Sequence, residues 1–307
     1  MIPPPLNSQK VEVVGIGAGT LDDLWLVPDF RDQEGVSQAL DYIQMGGGPV
    51  ATALCVLAVE GHTAALLDTL GDDATGAAIA QGLADCGVSH AGICQVPRAR
   101  STRAVILVRQ GDGARQIVYL PSNAGDLSLS ESQRQLIRQS RLLHLNGRHE
   151  HAAREAVEIA KAAGVTVSFD GGAGRYRDSI RDLVLASQIR ILSRDFAQHF
   201  CGSEDLSSMQ NKLLDSPTQI LVITEGVQGS HVALPDGARF HQPAFTASPL
   251  VDTTGCGDVY HGAFLHGWLQ QWSPQRCAEF ASQKAAQNAQ GLGGRWVCQK
   301  VHAGFQK

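Results

Sequence analysis

One stretch constrains the fold of this 307-residue chain more than any other: Val251-Asp252-Thr253-Thr254-Gly255-Cys256-Gly257-Asp258-Val259-Tyr260-His261-Gly262-Ala263-Phe264. Two glycines bracket Cys256, an Asp follows at once, and an apolar run continues to Trp272. That order reads as a tight turn opening a buried helix. Backbone N–H groups at a helix start lack intrahelical partners and carry partial positive charge. Glycines let a phosphate approach them closely. Asp258 then stands beside a held phosphoryl group, where a base is useful. The plainer reading of the same four residues is a glycine turn with a capping Asp.

The longer string, D-T-x-G-x-G-D-x-x-x-G-A, resembles the C-terminal signature of the ribokinase-like (PfkB) carbohydrate kinases. The resemblance spans roughly residues 11–295. It implies an α/β, three-layer ribokinase-like fold with a mostly parallel sheet flanked by helices, plus a small β-sheet lid. It also implies transfer of the ATP γ-phosphoryl group to a primary hydroxyl of a small sugar, a ketose or ketose derivative. Asp258 would be the base, and Gly255, Cys256 and Gly257 would hold the transferring oxygens by backbone N–H groups. Many relatives have Ala where Cys256 stands; a backbone contact permits the exchange but puts a thiol beside the chemistry. At a helix N-terminus, Asp258 is expected to have a depressed pKa. Mg²⁺ should accompany ATP. Asp252 and Thr254 resemble positions that help form a monovalent cation site, which adds K⁺ to the expected cofactors.

Composition excludes several other classes. The hydrophobic share of 43% and charged share of 18% are those of a globular domain. The net charge of -5 comes with no basic block, so neither nucleic acid nor an anionic membrane is an expected partner. Seven cysteines are scattered without a C-x-x-C pair, which argues against a zinc site or disulfide framework and for a cytoplasmic protein with reduced thiols. The N-terminus lacks the charged and apolar regions of a signal peptide, and no apolar run reaches the ~18 residues of a membrane span.

Taken in order, residues 1–10 read as a loose lead and 11–16 as a strand. Gly15, Gly17 and Gly19 follow, but without the continuation into a helix that a dinucleotide-binding turn needs. Residues 21–27 and 37–45 read as strands. The β-rich runs 103–108 and 116–120, joined by Gly111-Asp112-Gly113, read as a hairpin. The kinase domain is placed at 11–300, with a lid sheet inserted from about 22–45 and 101–121. Such a lid excludes water from the reaction, and in the family it often forms a homodimer contact. An apolar helix over 50–60 follows Gly46-Gly47-Gly48-Pro49, and another is expected at 74–86. From about 130 helices and strands alternate: helices at 130–140, 151–163, 178–186, 205–215 and 275–290, and strands at 142–145, 165–169, 189–192 and 220–224. That alternation argues a parallel sheet covered on both faces.

The resemblance assigns the remaining site residues. Asp22, just after the first strand, and Gly46, Gly47 and Gly48 correspond to sugar-binding positions, although Ala51 replaces the family's Asn. Several segments resemble the ketohexokinase and sulfofructose kinase branch more closely, among them Asn146-Gly147-Arg148 and Gly113-Ala114-Arg115-Gln116-Ile117. Arg148 follows a strand end, where its fork suits an anionic substituent. Asp170 keeps the family's Asp but loses its usual D-x-N-x-R, with Arg175 and Arg177 nearby. Ser193-Arg194-Asp195-Phe196 stands where most relatives carry N-x-x-E, so Mg²⁺ would be held mainly by phosphates and water. Thr224, Gly226 and Gly229 resemble the V-T-x-G-x-x-G nucleotide strand, Arg115 is a candidate phosphate contact, and Asn288 is a candidate contact to the adenine edge. Two other readings stay open: a non-catalytic sugar or nucleotide sensor on the same scaffold, and a nucleoside or 2-keto-3-deoxygluconate kinase.

Overall fold

The computed structural model describes residues 11–303, so the expected lead over 1–10 lies outside the described residues. The chain enters through β1 (Val13–Ile16), leaves the main sheet for β2 (Thr20–Val27) and β3 (Asp41–Gly47), and returns by α1 (Pro49–Val59) and β4 (Ala64–Gly71). Next come α2 (Ala74–Asp85), the short strands β5 (Val88–Ser89) and β6 (Ile93–Val96), and the hairpin of β7 (Arg103–Arg109) and β8 (Arg115–Leu120). Alternation then sets in with α3 (Glu131–Gln139), β9 (Leu142–Leu145), α4 (Glu150–Ala163), β10 (Thr166–Gly171), α5 (Arg181–Leu185) and β11 (Ile189–Ser193). It continues through α6 (Arg194–Cys201), α7 (Leu206–Leu213) and β12 (Ile220–Thr224). The strands β13 (Ser230–Ala233) and β14 (Arg239–Gln242) precede α8 (Cys256–Leu269), α9 (Pro274–Asn288) and α10 (Trp296–Ala303).

The main sheet runs β14-β13-β12-β11-β10-β9-β1-β4-β5, with β6 also on β4. From β12 to β5 every pair is parallel, because helical crossovers return each strand in the same direction. Only β13 and β14 are antiparallel. Both faces are covered, so the strands are continuous apolar runs divided by their period of two. On β12, Leu221 and Ile223 join the core under α3–α7, while Ile220 and Val222 join the core under α1, α2, α8 and α9. The same division points His144 of β9 and Asp170 of β10 toward α8, since their neighbours Leu143, Leu145 and Phe169 belong to the opposite core.

The lid is a separate four-stranded sheet, β3-β2-β7-β8. The expected strand over 37–45 begins only at Asp41, because its partner β2 runs out: Asp41 pairs with Leu26, the penultimate residue of β2. The expected helix over 178–186 is a 3₁₀ turn (Asp178–Ile180) followed by α5. Helices α6 and α10 and strands β5 and β6 have no counterpart in the sequence reading. Helix α6 is short and starts directly from a strand, with Ser193 as its N-cap accepting from the Phe196 amide at 3.1 Å.

Gly262 explains one fixed letter of the signature. A Cβ there would lie 2.5 Å from the Ala53 carbonyl oxygen, so the glycine lets α8 cross α1 at backbone contact. The scattered cysteines also converge in part. Cys55 and Cys298 both lie beside Cys86, and the neighbouring thiol together with burial pushes each of them up, a cluster that linear spacing did not reveal.

Candidate active site

The turn before α8 is built as its glycines require. Gly255 is the N-cap with φ 69, and a Cβ on it would overlap the Gly294 carbonyl. Asp252 is fully buried and ties the turn to the next loop: its Oδ1 accepts from the Thr254 amide at 2.7 Å and its Oδ2 from the Gly293 amide at 2.8 Å. Gly257 faces open space, so nothing blocks approach to the first turn of α8. The Cys256 amide, by contrast, turns back on the Thr253 carbonyl at 3.4 Å. Of the three amides expected to hold the transferring oxygens, that of Cys256 is therefore already engaged. The Cys256 thiol is pushed up to about 12 by burial, so it stays protonated at neutral pH and is a poor nucleophile.

Beside this turn lies a cleft of about 670 Å³. Thr224, Gly226 and Gly229 form one wall, Cys256 and Gly257 the floor, and Arg115 reaches in from the lid. The far end is apolar, with Phe245, Leu250, Ala285 and Ala289. A flat ring fits the apolar end, and an anionic tail fits the glycine turn and its arginine. The lid hairpin is fixed to the turn: the Thr253 hydroxyl donates to the Gly113 carbonyl at 2.8 Å, and Arg115 Nη1 donates to Thr253 Oγ1 at 2.8 Å. Ser193 lies next to Thr224 across the β11–β12 ladder.

A second group gathers at the base of the lid. Asp22 accepts from the Thr20 hydroxyl at 2.7 Å and packs so closely on Gly47 that a Cβ there would overlap its carboxylate. Gly46 is crowded in the same way by Arg295. The Arg295 guanidinium is buried and donates to the Gly47 carbonyl at 2.6 Å and to Thr52 Oγ1 at 3.1 Å. Burial raises the pKa of Asp22, with Thr20 and Arg295 opposing. Arg295 went unassigned in the sequence. Its signal was a lone cation ending the glycine-rich loop 291–294.

Asp258 joins the two groups. Its carboxyl is pushed up to about 6, chiefly by burial and with Asp170 adding to it, while Arg175, Arg115 and Arg295 pull the other way. The expected depression by the helix N-terminus is thus overturned. Asp258 is half-buried, and desolvation outweighs the partial charges of the helix end. Three guanidinium groups, from the lid, from the loop after β10 and from the C-terminal loop, act on this one carboxylate.

One expected contact falls elsewhere. Asn288 is fully buried; its amide donates to the Thr254 carbonyl at 3.1 Å and accepts from the Val297 amide at 3.2 Å. It braces the turn from behind rather than bordering the cleft. Arg148 is exposed and makes no ion pair among the described residues. Of the two arginines considered as substitutes near Asp170, Arg175 comes within 3.5 Å of it, whereas Arg177 is tied to Glu150 at 2.9 Å.

Comparison with known proteins agrees with this geometry. The profile described as pfkB family carbohydrate kinase matches residues 8–298. An ATP-dependent ribose-1-phosphate kinase from Halopiger xanaduensis is 25% identical, over 93% of this chain and 94% of its own. Fructokinase-1 of Zea mays is 30% identical over 72% of each. The solved structure of Arabidopsis thaliana ribokinase complexed with ribose and ATP superposes with a TM-score of 0.78, at 21% identity, covering 95% of this chain and 99% of that one.

Proposed function

The chain belongs to the pfkB family of carbohydrate kinases and is an ATP-dependent sugar kinase; from that premise we propose that Asp258 takes the proton of a primary sugar hydroxyl as it attacks the ATP γ-phosphorus. The observation that carries the reading is the place of Asp258 in the first turn of α8, directly after Gly257 of the cleft floor and under the charge of Arg115, Arg175 and Arg295. Arg115 and the free first-turn amides of α8 steady the transferring oxygens, and Arg175 and Arg295 keep a partly desolvated Asp258 ionised. A base of moderate strength suffices, because the alcohol loses its proton late in a loose transition state.

The cleft takes the nucleotide, with adenine against Phe245, Leu250 and Ala289 and the phosphates toward Thr224, Gly226, Gly229 and Gly257. Asp22 and the carbonyl-rich strand end at Gly46–Gly48 take sugar hydroxyls, and Arg148 stands free for an anionic substituent. Bound Mg²⁺ supplies charge neutralisation on the phosphates. Glu225 is committed to Arg194 at 2.8 Å and to His231 at 3.2 Å, so the ion's ligands come from phosphates and water. K⁺ belongs to the same proposal: Thr254 Oγ1, beside Asp252, is buried without a hydrogen-bond partner among the described residues. So does a homodimer through the lid, whose strand β8 exposes Val118, Tyr119 and Leu120, and a cytoplasmic setting, given seven free cysteines.

The experiment is ADP release with Mg-ATP across fructose, sulfofructose, ribose, ribose 1-phosphate, 2-keto-3-deoxygluconate and several nucleosides. A saturable signal with a ketose or its derivative is expected. A signal confined to nucleosides would overturn the sugar assignment, and ATP binding without turnover on any acceptor would favour the sensor.

A further inference from the structure

Directly behind the catalytic turn, His144 of β9, Asp170 of β10 and His261 of α8 meet in the layer between sheet and helix. One donor atom from each lies within 4.8 Å of the other two. His261 Nε2 is 3.4 Å from Asp170 Oδ1. None of the three is more than 4% exposed. His144 Nε2, Asp170 Oδ1 and His261 Nδ1 all lack a hydrogen-bond partner among the described residues. Orphaned buried polar atoms are uncommon in folded proteins, and His144 Nε2 and Asp170 Oδ1, with His261 presenting Nε2 to the same carboxylate oxygen, call for an occupant.

The chemistry of the set narrows that occupant. His144 Nδ1 is 2.8 Å from Ser168 Oγ. When Nδ1–H donates to that hydroxyl, the ring is fixed and Nε2 turns a lone pair inward, the arrangement found behind metal-bound imidazoles. Asp170 Oδ2 faces Arg175 at 3.5 Å, which leaves Oδ1 for the centre of the group. Two imidazoles and one carboxylate oxygen suit zinc and its neighbours in the first transition series, whereas Mg²⁺ and Ca²⁺ prefer oxygen throughout. Two ligands of a tetrahedral zinc ion stand about 3.4 Å apart, the spacing already seen between His261 and Asp170.

We propose that His144, Asp170 and His261 bind one divalent transition-metal ion of the zinc type, with water in the remaining position. The ion is separate from the nucleotide's magnesium and pins α8 to β9 and β10 behind the turn that carries Asp258. No part of this depends on which sugar is phosphorylated.

The test uses the full chain without a histidine tag, stripped with chelator and then titrated with Zn²⁺ or Co²⁺. Stoichiometric zinc uptake is expected, with a higher unfolding temperature, and a cobalt spectrum with d–d bands but no thiolate charge-transfer band. His144→Gln and His261→Gln should each weaken uptake by about 100-fold or more. A thiolate band would place the metal at Cys55, Cys86 and Cys298 and overturn the proposal. So would the absence of saturable uptake, or uptake unchanged in both variants. Should the variants fail to fold, X-ray absorption of the wild-type zinc form decides: a shell of two imidazoles and oxygen supports the site, and any sulfur contradicts it.

Discussion

Asp258 sits where two effects oppose each other. The helix end favours its charge and burial disfavours it, and burial wins, leaving the pKa at about 6. Turnover should therefore rise with pH along an acidic limb centred near 6 and flatten above it, falling tenfold per pH unit below the limb. A kcat/KM–pH profile checks this; a limb near 4 would mean that the helix end prevails. The linked effect on stability has a definite sign. The folded pKa is raised above the ordinary 3.8, so this residue's contribution is fully present below pH 3.8 and lost as pH rises through about 6. At neutral pH the carboxylate costs stability. The G-x-G-D pattern was legible in the sequence because backbone shape and spacing dictate it. The direction of the pKa shift was not, because burial and Asp170 come from segments far away in the chain. Asn288 was misread for a similar reason: its distance in sequence from Thr254 hid the hydrogen bond that occupies its amide.

At the scale of elements, the site is assembled by contacts between pieces that each had a clear local signal. The β7–β8 hairpin reads plainly from Gly111-Asp112-Gly113, but its docking on Thr253 does not. Arg115→Met should raise the KM for ATP by roughly tenfold or more, since it removes a charged hydrogen-bond donor from the cleft. Its side chain is exposed, so the unfolding free energy should move by no more than about 0.5 kcal/mol. Steady-state kinetics and denaturant unfolding together check the split, and an unchanged KM would show that Arg115 serves the lid alone. The α1–α8 crossing gives the converse case. Gly262→Ala should cost about 2–3 kcal/mol by overpacking against the Ala53 carbonyl. Urea unfolding measures it, and a loss within error would mean that the helices part freely. Helices α6 and α10 escaped notice because each is only eight residues long; α6 carries its apolar face on Phe196, Ala197, Phe200 and Cys201, too short a run to stand out beside the strand it follows.

For the whole molecule, a mostly parallel sheet covered by helices carries α8 behind its turn, and the lid sheet docks on that turn through Thr253. That much followed from alternating strands and helices, which leave few other ways to cover both faces of a sheet. The burial of Asp258 and the approach of Arg295 followed only from the assembled whole, as did the meeting of His144, Asp170 and His261. The central claim is that Asp258 is the base at the junction of nucleotide and sugar. Turnover of Asp258→Asn, measured beside its ATP affinity and unfolding temperature, tests it most directly. The account predicts turnover lowered by about 10³-fold or more, ATP affinity within a few-fold of wild type, and an unfolding temperature at neutral pH no lower than wild type. Wild-type turnover in a folded, ATP-binding variant would contradict it.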